Sequence, residues 1–246
     1  MAAIIPRDGA PARGHVAVVI PVLADLPALT HLVPALQAQS PAELVVVSGR
    51  TDPETAAFCR EHGCTYLETA ANRGAQLDAG AQAVTAPTIW FLHADVEVAP
   101  DALAAIEVAT AAGAESGCFR FAFQGPPTWY KRLLEALVEL RIRLGGIAYG
   151  DQGLFARRDT YFACGGFALQ PLFEEVRLVK RLRSRGSFRA LEQPVRVSTR
   201  RWERDGWCHR TLHNRWLALR FALGSPPQAL AASYRRLVRS GQEPER

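Results

Sequence analysis

Several short stretches of the chain carry side chains able to hold a metal ion, meet a phosphate or move a proton. The first is Phe91-Leu92-His93-Ala94-Asp95, with Val96-Glu97 behind it. If the apolar residues form a buried strand, Asp95 falls just past its carboxyl end, where open α/β sheets bind their ligands. One or two carboxylates there suffice for Mg²⁺ or Mn²⁺, because these hard cations share their coordination with substrate phosphates. The plainer alternative is that Asp95 caps the following turn. The second stretch is Asn72-Arg73-Gly74, with Gln76, Asp78 and Gly80 beyond it. Glycine permits close backbone approach, Arg73 can reach phosphate, and a helix start favours anions. Many ordinary loop-to-helix junctions look the same.

The third stretch is Gly150-Asp151-Gln152-Gly153, followed by Gly165-Gly166-Phe167 and then Phe173-Glu174-Glu175-Val176. Adjacent carboxylates opening a helix have an everyday explanation, since acidic residues there complement the helix dipole. The sharper alternative is a general base that deprotonates an attacking hydroxyl. Last comes Arg200-Arg201-Trp202. It reads either as a strand end where Arg meets a diphosphate and Trp stacks on a second substrate, or as a solvated rim beside a core Trp.

These residues need a scaffold, and the first half of the chain alternates like βα units. Residues 16–20 form a continuous apolar run, as expected of a strand buried on both faces. The pattern then predicts a helix over 27–39, a strand over 43–47, a helix over 52–62, a short strand at 66–67, a helix over 76–84, a strand over 88–92 and a helix over 101–112. Repeated alternation of this kind implies a mostly parallel sheet flanked by helices. Beyond it, 119–123 alternates like a strand, 129–144 reads as a long amphipathic helix, 174–185 as an Arg-rich helix and 195–199 as a late strand. Residues 207–234 read as two helices broken at Gly224-Ser225-Pro226-Pro227.

Composition narrows the class. Hydrophobic residues make up 48% of the 246, enough for a sizeable core. The formal charge is +5, from 29 basic and 24 acidic residues. The Arg residues are scattered among acids with no sustained basic stripe, which argues against nucleic acid as a partner. There are 5 cysteines and no CxxC pair, so neither a disulfide framework nor a zinc site is expected. The longest apolar run, 16–24, is far short of the ~20 residues that a membrane span needs. The first 14 residues read as a disordered tail, not a signal peptide, and the expected location is cytoplasmic.

In this order, the motifs resemble those of the family 2 glycosyltransferases, from about His15 to Trp202. They are similar in particular to a small bacterial subgroup linked to radical-enzyme gene clusters and arsenosugar-type biosynthesis. The resemblance rests on Ile20-Pro21, Arg73 to Gln76, His93 to Asp95, Gly150 to Phe155, Gly165 to Phe167, Glu174 to Val176, Arg200 to Trp202 and Gly224 to Pro227. It implies an α/β GT-A fold as one domain over 15–235. Residues 15–115 would be the nucleotide-sugar half, 116–203 the acceptor and catalytic half, and 204–235 the C-terminal helices.

The resemblance also implies an inverting, hexosyltransferase-like enzyme that uses a UDP- or GDP-sugar and a divalent cation, Mg²⁺ or Mn²⁺. By position, the donor side takes Pro21, Asp25, Ser48, Asp52, Arg73, Gln76, His93 and Ala94. The metal falls to Asp95, with Glu97 beside it. Glu175 takes the place of the base, with Glu174 adjacent. Asp151, Gln152 and Gly153 line the acceptor side, and Arg201 with Trp202 meets the pyrophosphate and acceptor.

The chain departs from the family pattern at three places: Ser48 stands where an acid usually follows the second strand, the base is Glu instead of Asp, and His93 replaces the first acid of the metal motif. A non-catalytic nucleotide-sugar binder stays open on the first departure. A nucleotidyltransferase would want a Gly-rich, Lys-bearing loop after the first strand, which Pro21 to Asp25 does not supply. The acceptor is a small molecule or a lipid. Leu212, Trp216, Leu219 and Leu223 on the Arg-rich C-terminal helices suit peripheral contact with an anionic membrane, and suit packing or a homodimer interface equally.

Overall fold

The computed structural model describes residues 14–240, with side chains through 234. The expected tail over 1–14 lies outside the described residues except for Gly14. The first half builds as its apolar pattern dictates. Strands β1 (Val16–Val22), β2 (Glu43–Ser48), β3 (Thr65–Glu68) and β4 (Thr88–Phe91) pair in parallel in the order β3-β2-β1-β4. In β1, Val18 and Ile20 enter one core and Ala17 and Val19 the other. That two-sided burial is why the strand reads as an unbroken apolar run.

Helices α1 (Leu26–Gln37) and α4 (Ala102–Ala111) cover the first face through Leu29, Leu32, Leu103 and Ile106. Helix α3 (Arg73–Ala83) covers the second. Its small residues let it sit close, since a Cβ on Gly80 would lie 2.3 Å from a Val19 methyl. Asp25 and Asp52 cap α1 and α2 (Pro53–Glu61), accepting from the amides of Ala28 and Thr55.

The sheet then turns mixed. Strand β7 (Phe155–Arg157) runs antiparallel between β4 and β6 (Ser116–Phe123). Next comes β8 (Phe188–Val197), parallel to β6, and at the edge the short β5 (Val96–Val98), antiparallel to β8. The second half corrects the sequence expectations in three ways. Strand β8 begins well before 195, because its exposed Arg189 and Glu192 hide the pattern and Pro194 sits at a register shift against β6. Helix α6 (Arg158–Ala163) and strand β5 are too short to give a periodic signal. Arg200 to Trp202 do not end a strand. Pairing stops at Val197, Thr199 accepts the amide of Trp202, and α8 (Arg200–Asp205) begins.

Helix α5 (Trp129–Arg143) is long as expected, but much of its apolar face points outward. Helix α7 (Val176–Arg185) buries Val176, Leu178, Val179 and Leu182 and exposes Arg177, Arg181 and Arg185, while Arg183 is half-buried over the Phe188 ring. The last helices are α9 (Trp207–Ala222) and α10 (Pro227–Ser240), broken at Gly224 as predicted. No helix among the described residues is long and apolar enough to cross a membrane.

Candidate active site

Since β1, β2 and β4 are parallel, their carboxyl ends share one edge, and the turn after β4 carries His93, Ala94 and Asp95 there. A polar cavity of about 160 Å³ opens at this edge, lined in part by Arg73, His93, Asp95, Asp151, Glu175, Arg201 and Trp202. The four chemistry-bearing stretches of the sequence therefore meet in one place. The start of α3 supplies Arg73, a 3-10 turn (Gly150–Gln152) supplies Asp151, the residue before α7 supplies Glu175, and the first turn of α8 supplies Arg201 and Trp202.

Glu174 and Glu175 stand at the start of α7 in a buried setting. Glu175 occupies the N-cap of α7 but makes no side-chain capping bond, and both carboxylates are buried, at 3% and 6% exposure. Glu174 is matched by Arg73, with Nη1 3.3 Å from Oε1. Glu175 faces the cavity, where burial first and the charge of Glu174 second push its carboxyl up to about 8. The preceding Phe173 is held at φ 62, a left-handed conformation that is strained for a residue with a Cβ.

Gly74 lets Arg73 reach this pair. A Cβ there would lie 2.2 Å from the carbonyl oxygen of Ala168, in the loop that leads to Glu174. Gly74→Ala is accordingly expected to cost about 1–3 kcal/mol. The check is a thermal melt, at about 2–4 °C per kcal/mol for a chain of this size; an unchanged melting temperature would show that the loop yields freely.

His93 is half-buried, with its ring covered by Gly150, whose Cβ, if present, would lie 2.8 Å from Nε2. That Nε2 has no hydrogen-bond partner among the described residues. Burial, then Arg73 and Arg201, drive the imidazole down to about 3 against the pull of Asp95, so it is neutral near pH 7. Asp95 is partly exposed, and Arg201 Nη2 stands 3.9 Å from its Oδ2. Asp151 is raised by burial, with Arg141 opposing, and its Oδ1 is also buried without a hydrogen-bond partner among the described residues.

Other expected residues lie elsewhere. Pro21, Asp25, Ser48 and Asp52 stand at the carboxyl ends of β1 and β2 or just beyond, outside the cavity wall. Ser48 donates to the Arg50 carbonyl at 2.7 Å. Gln76 ties the two strand ends together, its Nε2 donating to the carbonyls of Val22 and Val47 at 2.9 and 2.8 Å. Ala94 is buried in the core cluster. Glu97 is exposed on β5, paired in register with Arg196 and outside the cavity. Gln152 is buried behind the wall, accepting from Arg141 at 2.8 Å. Gly153 takes a left-handed turn against Trp90.

The structure adds Tyr149, Ser198, Arg210, Asn214 and Tyr234 to the cavity wall. Arg210, 2% exposed, pairs with buried Asp205 at 3.0 Å and donates to the hydroxyl of Tyr234, whose ring it also covers at 4.7 Å. Burial alone would raise the Tyr234 phenol, but Arg201 and Arg210 outweigh it and hold the phenol below its ordinary value. Helix α10 is thereby pinned over the site. Aromatic and Arg residues on an amphipathic helix give no sequence sign of facing a cavity, and chain order does not show which helix closes it.

No curated protein matches the chain in sequence. Solved structures do match in fold. One is S. aureus TarS 1-349 in complex with UDP-GlcNAc, at 11% identity and TM-score 0.58, covering 74% of this chain and 58% of that one. Another is the mannosyltransferase PcManGT from Pyrobaculum calidifontis in complex with GDP-Man and Mn2+, at 18% identity and TM-score 0.59, covering 95% and 73%. The chain spans about 60% of the length of the TarS 1-349 structures. The family model described as Glycosyl transferase family 2 matches residues 17–177, more than half of the chain and every strand from β1 to β7. On the strength of that match, with the GT-A-like mixed sheet to support it, the chain belongs to glycosyl transferase family 2.

Proposed function

We propose that the protein moves a sugar from a nucleoside-diphosphate donor to an acceptor hydroxyl, with inversion at the anomeric carbon. The observation that carries this reading is that Asp95 and Glu175, far apart in sequence, line one cavity. The motif order supports a place in the small subgroup named above, and the UDP-GlcNAc and GDP-Man bound by the solved relatives support a UDP- or GDP-sugar donor. Donor binding is assigned to 15–115 and acceptor binding and catalysis to 116–203. The C-terminal helices contribute to the site through Arg210, Asn214 and Tyr234.

A divalent cation fits, in a particular way. No group of three His, Cys, Asp or Glu gathers among the described residues. An ion that shares its coordination with a diphosphate needs only one or two carboxylates. Asp95 meets that need, being partly exposed and loosely paired, while Glu97 stands away. Asp95 would hold Mg²⁺ or Mn²⁺ together with the donor's diphosphate, and the ion would supply positive charge there.

The remaining work falls to the chain. Arg73 and Arg201 bring positive charge to the donor end of the cavity. Glu175 takes the proton of the incoming hydroxyl. A single base suffices for direct displacement, whereas double displacement requires a separate nucleophile, and Glu174 is occupied by Arg73.

Two measurements test the reading. UDP, GDP and their sugars with Mn²⁺ are screened for a rise in melting temperature, since a ligand of the native state stabilises it; no shift with any of them sinks the donor assignment. Transfer is then followed from pH 6 to 9. A base must be ionised to act, so kcat/KM rises about tenfold per pH unit below its pKa and levels off above it. With Glu175 near 8, the bend falls near pH 8. A profile flat across the range removes Glu175 as the base.

A further inference from the structure

Beside the polar cavity lies a second one of about 260 Å³, walled by Phe121 and Phe123 of β6, Leu134 and Val138 of α5, Phe173, and Leu217 of α9. Tyr149, Asp151, Leu172, Trp202, Asn214 and Tyr234 line both. The two are adjoining rooms, one ending at Glu175 and Asp95, the other lined on one side by rings and methyl groups and on the other by Arg141, Thr211 and Arg215. Phe123 packs edge-on against Trp202 at 5.0 Å and against Phe121 at 4.9 Å, so the apolar wall is a built aromatic cluster.

Asp151 stands where the two meet, and its buried Oδ1 lacks a hydrogen-bond partner among the described residues. Such an atom is costly to leave bare. An acceptor hydroxyl would satisfy it within the same space as Glu175. Whatever carries that hydroxyl then meets the apolar side of the cavity, between β6, α5 and Leu217, with Arg141, Thr211 and Arg215 on its polar side. The apolar character continues outside: Trp129, Leu133, Leu137 and Leu140 of α5 and Trp216 and Leu219 of α9 are each 40% or more exposed. Residues 206–242 contain no Asp or Glu.

We propose that this second cavity is the acceptor subsite, and that the acceptor is an alcohol borne on an apolar body. Its hydroxyl is received at Asp151 and Glu175, and its apolar part lies between β6, α5 and α9. The inference rests on the sugar-transfer reading above. It concerns what is attached to the hydroxyl, a matter on which that reading is silent.

The test uses the full chain and a series of alkyl β-glucosides from methyl to octyl, with glucose as the polar control. Affinity is expected to tighten about three- to fourfold per methylene until the cavity is full. A series with no dependence on chain length overturns the inference. Ala218→Trp, which fills the space from α9, should abolish the dependence, and Phe121→Ala, which enlarges it, should extend the dependence to longer chains. If one variant fails to fold, the other decides.

A second arm compares dioctanoylglycerol in solution with dioleoylglycerol in phosphatidylglycerol vesicles, each as acceptor for the donor that binds. Faster labelling of the vesicle acceptor makes a bilayer the source, and faster labelling of the soluble one makes it a free amphiphile; either supports the subsite. Labelling of glucose alone overturns it. UDP and GDP binding with Mn²⁺ is measured in parallel. If neither binds, the transfer reading itself has failed; if one binds and the alkyl series is flat, only the acceptor inference has failed.

Discussion

Glu175→Gln is expected to lower kcat by about 10²–10⁴-fold while leaving nucleotide binding in place, because general-base catalysis supplies that much and the side chain keeps its shape. The same substitution should make the protein more stable, which separates lost chemistry from lost folding. An unfolded chain releases the Glu175 proton near the ordinary value of 4.5, whereas the folded chain keeps it to about 8. The folded state therefore binds more protons across that window, and its stability falls as pH rises through it.

Glutamine has no proton to lose. At pH 8 the variant should melt several °C higher, with the gain vanishing near pH 4. Kinetics and melts at both pH values check this. Full activity in the variant would remove the base, and a lower melting temperature at pH 8 would show that the carboxyl is not carrying the cost of burial.

Asp205→Ala should have the largest effect on stability. Asp205 and Arg210 are each 2% exposed at the side chain and pair at 3.0 Å. Removing the acid leaves the guanidinium buried and unpaired, which costs about 3–5 kcal/mol, or roughly 6–20 °C. The damage should reach the cavity, since Arg210 also holds Tyr234. A double variant, Asp205→Ala with Arg210→Met, should recover much of the loss by removing the stranded charge. A single-variant cost below about 1 kcal/mol would mean that Arg210 swings out to solvent.

How much of this was legible beforehand depended on whether a residue's burial leaves a periodic trace. Strands β1, β2 and β4 are buried on both faces and α1 presents an apolar stripe, so each announces itself by pattern. Strand β8 alternates with exposed charge and contains Pro194, and β5 and α6 are shorter than one useful period, so they do not. The same division holds in the site. Asp95, Arg73, Asp151, Glu175 and Arg201 were visible as residue types at telling places in the chain, because strand ends and helix starts are where ligands are met. Gln76 and Asp52 look the same in sequence, and their side chains bond backbone carbonyls and an amide outside the cavity wall. Tyr234 and Arg210 were invisible as site residues, because their position depends on how α9 and α10 fold back. Sequence order does not encode that return.

Phe173 sits at φ 62 on the wall of the apolar cavity. A residue forced into a left-handed backbone carries about 1–3 kcal/mol of strain that glycine would not, yet its ring walls the apolar cavity and its backbone leads into Glu174-Glu175. A lineage drifting toward sturdiness would favour glycine at this position and surrender an aromatic wall, whereas a lineage kept for turnover would retain phenylalanine and tolerate a slightly weaker fold.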